Sequence, residues 1–420
     1  MNALEPHFFR HEWARLVAVL VRVFGAGNLA LAEDVAQDAL FRAMQVWPVD
    51  GTPESPSAWL TAVAKRRAID ELRKARTHAH AAPELARMLD SEWTRAGTVD
   101  ELFAPKPLRD DELRMMFWLA QPRLPEASQV ALVLQLCSGF GEAEIASAFL
   151  TTPAAIGKRL QRAKAVVTQS GAPRELSDAD LGARLDVVHR AIYLLFNEGY
   201  HGACPEAAVR TELCREALRL VMLLVDHPAT RTEATLALAA LLHLHAARLP
   251  SRLDESGELL PLLEQRRELW DGDLAARGLE LLDRSSEGEA ASAFHLEAAI
   301  AACHATARSF EETPWEHIVR LYDALSAIAP SPVVALSRAI AIAQLHGPAR
   351  GLAELAALEG EELRGYVFYH AALADLSARA GDRSAARAHY ERALALARNP
   401  SERTFLERRA RALSDVGPPP

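Results

Sequence analysis

Two short runs of the sequence concentrate Lys and Arg side chains. The first run, from Lys65 to Arg76, carries six cations against two acids, and the second, from Lys158 to Lys164, carries four cations and no acid. The chain as a whole has a formal net charge of −9, so both runs stand out from an acidic background. Clustered cations neutralise phosphate groups and release the counterions bound to them. The two runs therefore predict contacts with nucleic acid.

The cations of the first basic run can act together only if a helix places them on one face. Ser55 followed by Pro56 predicts a helix start, and a helix over Ser57–Arg76 turns an apolar stripe away from its cations. The preceding segment Leu31–Gln45 predicts a helix with an acidic face, and Trp47–Pro53 predicts a loop. Cations beside a loop that can hold unstacked bases suit a partly opened duplex. A solvated helix face is the alternative interpretation.

The second basic run is predicted to lie on the second helix of a helix-turn-helix. A short helix over Glu142–Phe149 is followed by Thr152 as an N-cap and Pro153 at the first helical position. Ile156 begins the inward stripe of the next helix. The residues left outward are Ala155, Lys158, Arg159 and Arg162. Such a helix can lie in a major groove, whereas an ordinary helical hairpin is the alternative.

Composition and periodicity predict an all-α protein built from three blocks. Ala, Leu and Arg favour helices, aromatic residues make up only 6%, and no segment shows a strand pattern. The blocks are residues 1–76, 109–171 and 185–420, with linkers at 77–108 and 172–184. The third block ends in residues spaced as in a tetratricopeptide hairpin: Ala374, Gly381, Ala386, Tyr390 and Ala393. Stacked hairpins of this kind form surfaces for peptides or partner domains.

The first block resembles region 2 of the extracytoplasmic-function (ECF) sigma factors of the sigma-70 family. The strings Ala32–Ala39 and Trp59–Arg73 carry the resemblance. It implies that residues 46–57 form a specificity loop for the −10 promoter element. It implies contacts with core RNA polymerase from Glu33, Asp34, Gln37 and Asp38. It implies contacts with the melted DNA strand from Trp59, Lys65, Arg66, Arg67, Arg73 and Lys74.

The second block resembles sigma region 4, which recognises the −35 element. The resemblance covers the spacing from Glu144 through Ile156 to Lys164. Arg and Gln side chains can hydrogen-bond base edges, whereas Lys mostly meets phosphate. The implied DNA contacts come from Thr152, Ala155, Lys158, Arg159, Gln161 and Arg162.

The third block resembles the C-terminal extension of one ECF subgroup with a tetratricopeptide-like tail. The strings Tyr193–Tyr200, Leu263–Asp271 and Ser331–Ala339 carry this resemblance. It implies that the extension regulates activity, with a regulatory protein or peptide as its partner. The predicted function is therefore an alternative sigma factor that binds core RNA polymerase and promoter DNA. A helical-repeat scaffold or adaptor without promoter activity is the alternative from another class.

An enzyme is the second alternative, and it would use polar clusters in the third block. Glu198 would act as a base and His201 as an acid, beside Asn197 and Tyr200. A second cluster contains Glu264, Arg267, Trp270 and Asp271. The favoured interpretation of both is a buried polar network with helix-end hydrogen bonds. The sequence also has no P-loop, Rossmann glycine pattern or nucleophile elbow. We therefore predict no catalytic residue, no metal and no cofactor.

The remaining features favour a cytoplasmic protein that does not enter the membrane. The four cysteines form no CxxC pair and stand among apolar residues, which predicts buried free thiols. The N-terminal residues lack the apolar core of a signal peptide. The longest apolar run, Leu218–Val225, is too short to cross a bilayer.

Overall fold

The protein is described here from a computed structural model, over residues 6–79, 108–149, 151–169, 176–201, 209–255, 257–287, 291–358, 361–397 and 399–415. Within those ranges all regular structure is helical, apart from one isolated bridge between Leu253 and Leu259. The all-α prediction is confirmed. The chain divides into two compact units, Met1–Leu195 and Phe196–Pro420. Most of the predicted linker 77–108 lies outside the described residues.

Three long helices begin the first unit: α1 (Pro6–Phe24), α2 (Leu29–Asp50) and α3 (Pro56–Ala79). Helix α1 packs against both of the others. The predicted stripe of α3 is buried at Leu60, Ala64 and Ala68, and it leaves Arg66 and Lys74 exposed. The helix is tied to α1 at its first turn, because the hydroxyl of Ser57 donates to the buried carboxylate of Glu12 at 2.7 Å.

The loop predicted over Trp47–Pro53 begins later in the structure. Helix α2 continues through Pro48 to Asp50, and the non-helical connection is limited to residues 51–55. Trp47 explains the difference, because its side chain is buried and its ring packs 5.3 Å from that of Trp59. Packing of this aromatic residue outweighs the local tendency of proline to end a helix. The turn comes at Gly51, whose φ of 87° favours glycine.

The first unit continues with α4 (Leu108–Leu119), α5 (Glu126–Ser138), α6 (Glu142–Ala148), α7 (Pro153–Gln169) and α8 (Asp178–His201), the last of which ends in the second unit. Helices α4 and α5 pack against α1, and α6 packs against α7. The helices of the predicted first and second blocks therefore share one compact unit.

The second unit is an array of helices in which chain neighbours pack on one another. In α10 every residue from Thr235 to Leu244 is buried, as expected for a helix that is apolar on nearly every side. The helices are α9 (Thr211–Asp226), α10 (Glu233–Ala246), α11 (Gly272–Ser285), α12 (Ala293–Thr306), α13 (Trp315–Ile328), α14 (Pro332–His346), α15 (Pro348–Ala356), α16 (Glu361–Arg364), α17 (Val367–Arg379), α18 (Arg383–Leu396) and α19 (Pro400–Asp415).

A helical hairpin stands where the tetratricopeptide spacing was found. Helices α17 and α18 form it, and Gly381 lies in their turn with a φ of 88°. The small and aromatic residues of the pattern are buried between packed helices: Ala374, Ala386, Tyr390 and Ala393. Small side chains at these positions allow the helix backbones to approach closely.

Candidate nucleic-acid interface

Helix α7 presents the most open set of the predicted DNA-binding residues. Thr152 caps the helix by accepting a hydrogen bond from the backbone N–H of Ala155 at 3.3 Å. Ile156, Leu160 and Ala163 are fully or almost fully buried. This inward stripe leaves a continuous exposed row at Thr152, Ala155, Lys158, Gln161 and Arg162. The row can therefore meet a polyanion without any rearrangement of the helix.

Arg159 differs from its neighbours on α7. Its guanidinium lies 5.5 Å from the centre of the Phe149 ring, and the residue is half-buried. A cation over an aromatic face is held there by the ring quadrupole. Arg159 therefore fixes the turn between α6 and α7 as well as carrying charge on this face.

The cations of helix α3 divide into paired and open ones. Arg67 forms ion pairs with Asp38 at 3.0 Å and with Glu71 at 3.1 Å, and Lys74 pairs with Glu71 at 2.9 Å. The hydrogen bond from Lys74 lowers the pKa of Glu71. Arg66 is exposed and has no ion pair within the described part of the chain. The side chain of Arg73 lies outside the described residues.

Lys65 and Trp59 lie closer to the protein interior than the open cations do. Both are half-buried. Trp59 packs against Trp47, which in turn lies 5.8 Å from the ring of Phe9. This aromatic cluster joins the end of α2 to the first turn of α3, on either side of the connection at residues 51–55.

The predicted polymerase-binding residues of α2 also differ in accessibility. Asp34, Gln37 and Asp38 are exposed, whereas Glu33 is half-buried and pairs with Lys164 at 2.7 Å. Phe41 and Met44 lie further along the same helix, and both are 55% exposed.

Sequence reasoning missed Phe41 and Met44. They lie four and seven residues after Gln37, a spacing that places all three on one side of a helix. The signal was present in the sequence, because neither residue belongs to the buried stripe of Val35, Ala39 and Ala43.

Two ion pairs join the N-terminal helices to the helix-turn-helix. Arg10 contacts Glu144 through two nitrogens at 2.9 and 3.0 Å, and it also donates to the carbonyl of Gly139 at 3.3 Å. Lys164 meets Glu33 on α2. The two predicted DNA-binding elements are therefore held together in this structure.

The polar clusters of the second unit are parts of its framework. Glu198 is buried and pairs with the buried Arg210 at 2.6 Å. Glu264 pairs with Arg408 and Arg409, each at 3.2 Å.

The rest of the second cluster also holds the fold. Asp271 caps α11 through the N–H of Leu274, and Arg267 donates to the carbonyls of His304 and Ala307. Only the Glu198–Arg210 pair is buried, and the second cluster makes ion pairs and helix-end hydrogen bonds at half-buried or exposed positions. These contacts favour a structural role over the catalytic interpretation. In the described ranges no group of three or more His, Cys, Asp or Glu is placed to hold a metal ion.

Comparison with known proteins matches two parts of the chain to protein families. The profile of sigma-70 region 2 matches residues 8–78, which cover α2 and nearly all of α1 and α3. The chain carries a sigma-70 region 2. The match supports a sigma-70 family factor with a role in transcription initiation. A family of unknown function, DUF6596, matches residues 184–286.

A full-length relative extends the match to most of the sequence. The chain is 39% identical over 393 residues to the uncharacterized protein R00370 of Rhizobium meliloti (strain 1021), covering 93% of this chain and 91% of that protein. The chain belongs to the same protein family as R00370. No solved structure matches it significantly. No helix in the described part is both long enough and apolar enough to cross a membrane.

Proposed function

We propose that the chain is an ECF-type sigma factor that binds core RNA polymerase and directs initiation at promoters with −35 and −10 elements. One observation carries the proposal: the exposed row Lys158, Gln161 and Arg162 on a capped second helix, in one unit with a sigma-70 region 2. A row of this kind suits the major groove. Gln161 and Arg162 would read base edges, and Lys158 would meet phosphate.

The N-terminal end of α7 and the residue Arg159 complete the proposed −35 surface. Thr152 and Ala155 are small and exposed, so the start of the helix can approach the groove closely. Arg159 can reach DNA only by leaving the ring of Phe149. Its substitution therefore combines a loss of charge with a loosened turn.

The −10 element is assigned to α3 and the preceding connection at residues 51–55. Arg66 supplies the open cation, and Lys65, Arg67, Arg73 and Lys74 complete the basic side of the helix. Trp59 and its aromatic cluster give the connection a rigid base on which an unstacked nucleotide could rest.

Core RNA polymerase is assigned to the outer face of α2. Asp34, Gln37 and Asp38 supply polar contacts, and Phe41 and Met44 supply exposed apolar area. Large apolar side chains that face solvent beside polar ones are typical of protein interfaces. Glu33 would join this surface once it separates from Lys164.

The second unit is proposed to regulate the first. Its hairpins are tetratricopeptide-like, and a protein or peptide is the partner that such an array suits. In this proposal the polymerase carries out the chemistry, the chain has no catalytic residue, and its location is the cytoplasm.

Run-off transcription tests the proposal. Full-length protein is mixed with purified core polymerase and fragments of its own genome, and is compared with the triple variant K158A/Q161A/R162A. We expect promoter-specific products to fall at least tenfold while core binding stays within twofold. The matched control is R123A/R190A, which removes two exposed cations elsewhere in the first unit. Core binding by the wild type without any specific product would instead support the scaffold alternative.

A further inference from the structure

A pocket of about 190 Å³ lies within the second unit. Segment 259–261, helix α17 and the first turns of α19 enclose it. Most of its lining is apolar, including Leu260, Phe368 and Phe405. An apolar cavity of about 150 Å³ holds benzene. This pocket therefore has room for one aromatic ring, or a short aliphatic chain, together with a small polar group.

Arg252 brings a buried positive charge to the pocket. The residue is 8% exposed, and its Nη2 donates to the carbonyl of Tyr200 at 3.1 Å and to Nδ1 of His201 at 3.2 Å. Its guanidinium lies 4.4 Å from the centre of the Tyr200 ring. The Nε atom is buried and has no hydrogen-bond partner among the described residues.

No carboxylate is among the partners of Arg252 given above. In the described part of the chain no carboxylate forms an ion pair with it, although the equally buried Arg210 has Glu198 at 2.6 Å. A buried cation without a counter-ion is strongly destabilising. Burial accordingly lowers the pKa of Arg252. A donor without a partner beside an apolar pocket is the arrangement that a bound anion would complete.

Glu402 also lines the pocket and carries the opposite charge. It stands in the first turn of the 16-residue helix α19, where the Asn399 side chain accepts a hydrogen bond from the Glu402 backbone N–H at 2.8 Å. A carboxylate in the first turn of a helix is stabilised by the helix dipole. The helix dipole thus stabilises the charge of Glu402, whereas no carboxylate in the described part of the chain offsets the charge of Arg252.

We propose that this pocket binds a small monocarboxylate with an apolar body. The carboxylate accepts hydrogen bonds from Arg252, and the ring or chain lies against α17 and α19. This site belongs to the second unit alone, so the inference goes beyond the proposed function and stands whether or not the first unit acts in transcription.

Calorimetric titration of the full-length protein tests the site with three probes of one shape. Phenylacetate is the anion, phenylacetamide is its neutral analogue, and phenethylamine is a cation. We expect phenylacetate to bind with one-to-one stoichiometry and at least tenfold more tightly than the amide. We expect no measurable binding of the amine.

Two variants localise the binding. Arg252→Gln removes the charge and should weaken phenylacetate binding at least tenfold. Ala371→Leu fills the pocket without changing its charge and should weaken all binding by a similar factor. Arg266→Gln is the control, because Arg266 is exposed and, among the described residues, pairs only with Glu268. If Arg252→Gln proves unfolded by circular dichroism, Ala371→Leu decides the question.

Several results would overturn the proposal. They are no saturable binding of phenylacetate to folded wild-type protein, binding of the acid no tighter than that of the amide, and full affinity in Ala371→Leu. Preferential binding of phenethylamine would also overturn it, because that result would assign the pocket to Glu402 and a cationic ligand.

Discussion

The ammonium of Lys164 lies 2.7 Å from a carboxylate oxygen of Glu33. Lys164 belongs to the helix proposed to read the −35 element, and Glu33 belongs to the face proposed to bind polymerase. Their side chains are 26% and 17% exposed, so the pair is partly withdrawn from solvent. If Glu33 binds polymerase as proposed, its carboxylate must first separate from Lys164. In that proposal helix α7 and the polymerase compete for the same acid.

Replacing Lys164 by Gln should strengthen binding to core polymerase. The pair is worth about 1 kcal/mol, as expected for a partly exposed ion pair. Its removal should raise core affinity by up to about fivefold, since 1.4 kcal/mol corresponds to tenfold. Fluorescence anisotropy with labelled protein would measure the change.

Lys74→Gln is the matched control for this variant. Lys74 makes a similar pair, with Glu71 at 2.9 Å, but that pair does not involve α2. We expect its core affinity to stay within a factor of two. Weaker core binding by Lys164→Gln would mean that Lys164 itself contacts the polymerase.

Adjacent cations of α3 should contribute unequally to binding of single-stranded DNA. Arg66 is open, whereas Arg67 must first leave Asp38 and Glu71. Arg66→Ala should reduce the slope of log affinity against log salt by about 0.7, the value for one phosphate contact on a single strand. Arg67→Ala should change the slope by less than half as much. Equal slopes for the two variants would show that the ion pairs of Arg67 do not restrain it.

The helical stripes could be predicted from sequence because they depend only on spacing within one helix. Leu60, Ala64 and Ala68 on α3, and Ile156, Leu160 and Ala163 on α7, are buried where the period of 3.6 residues placed them. The end of α2 could not be predicted in this way. It depends on Trp47 meeting Trp59, a contact between helices that outweighs the local preference of Pro48.

The sequence could predict which residues form the candidate site. It could not predict which of their charged side chains form ion pairs within the protein. Lys158, Gln161 and Arg162 are exposed as the pattern required. No spacing rule predicts that Lys164 meets Glu33, 131 residues away along the chain. The Arg252 pocket escaped prediction for the same reason, because its walls come from segments separated by more than 100 residues.

The second unit should lose stability in mild acid because two of its histidines are kept neutral. Burial lowers the pKa of His245 and of His304 to about 3, from an unfolded value near 6.5. Between these values the unfolded chain binds more protons, so stability is complete above about pH 6.5 and falls as the pH drops toward 3. Each histidine should remove about 1.4 kcal/mol between pH 7.5 and 5.5.

Urea unfolding at pH 7.5 and 5.5 would measure this loss in the wild type and in His245→Leu. The variant removes one titrating group, so its loss of stability in acid should be smaller by about 1.4 kcal/mol. His317→Leu removes a histidine at an exposed position and is the matched control. An unchanged pH dependence in His245→Leu would mean that folding does not change the proton binding of His245.

Two glycines of helix α8 should respond to alanine in opposite directions. A Cβ at Gly199 would lie 2.8 Å from the Sγ of Cys214 and 2.9 Å from the carbonyl oxygen of Arg210, so backbone would have to move. A Cβ at Gly182 would meet nothing within 4 Å. Gly199→Ala should therefore destabilise the protein by about 1–3 kcal/mol through overpacking. Gly182→Ala should stabilise it by up to about 1 kcal/mol, because alanine restricts the unfolded chain and favours the helix. Thermal unfolding followed by circular dichroism would compare them, and destabilisation by both variants would contradict the argument from packing.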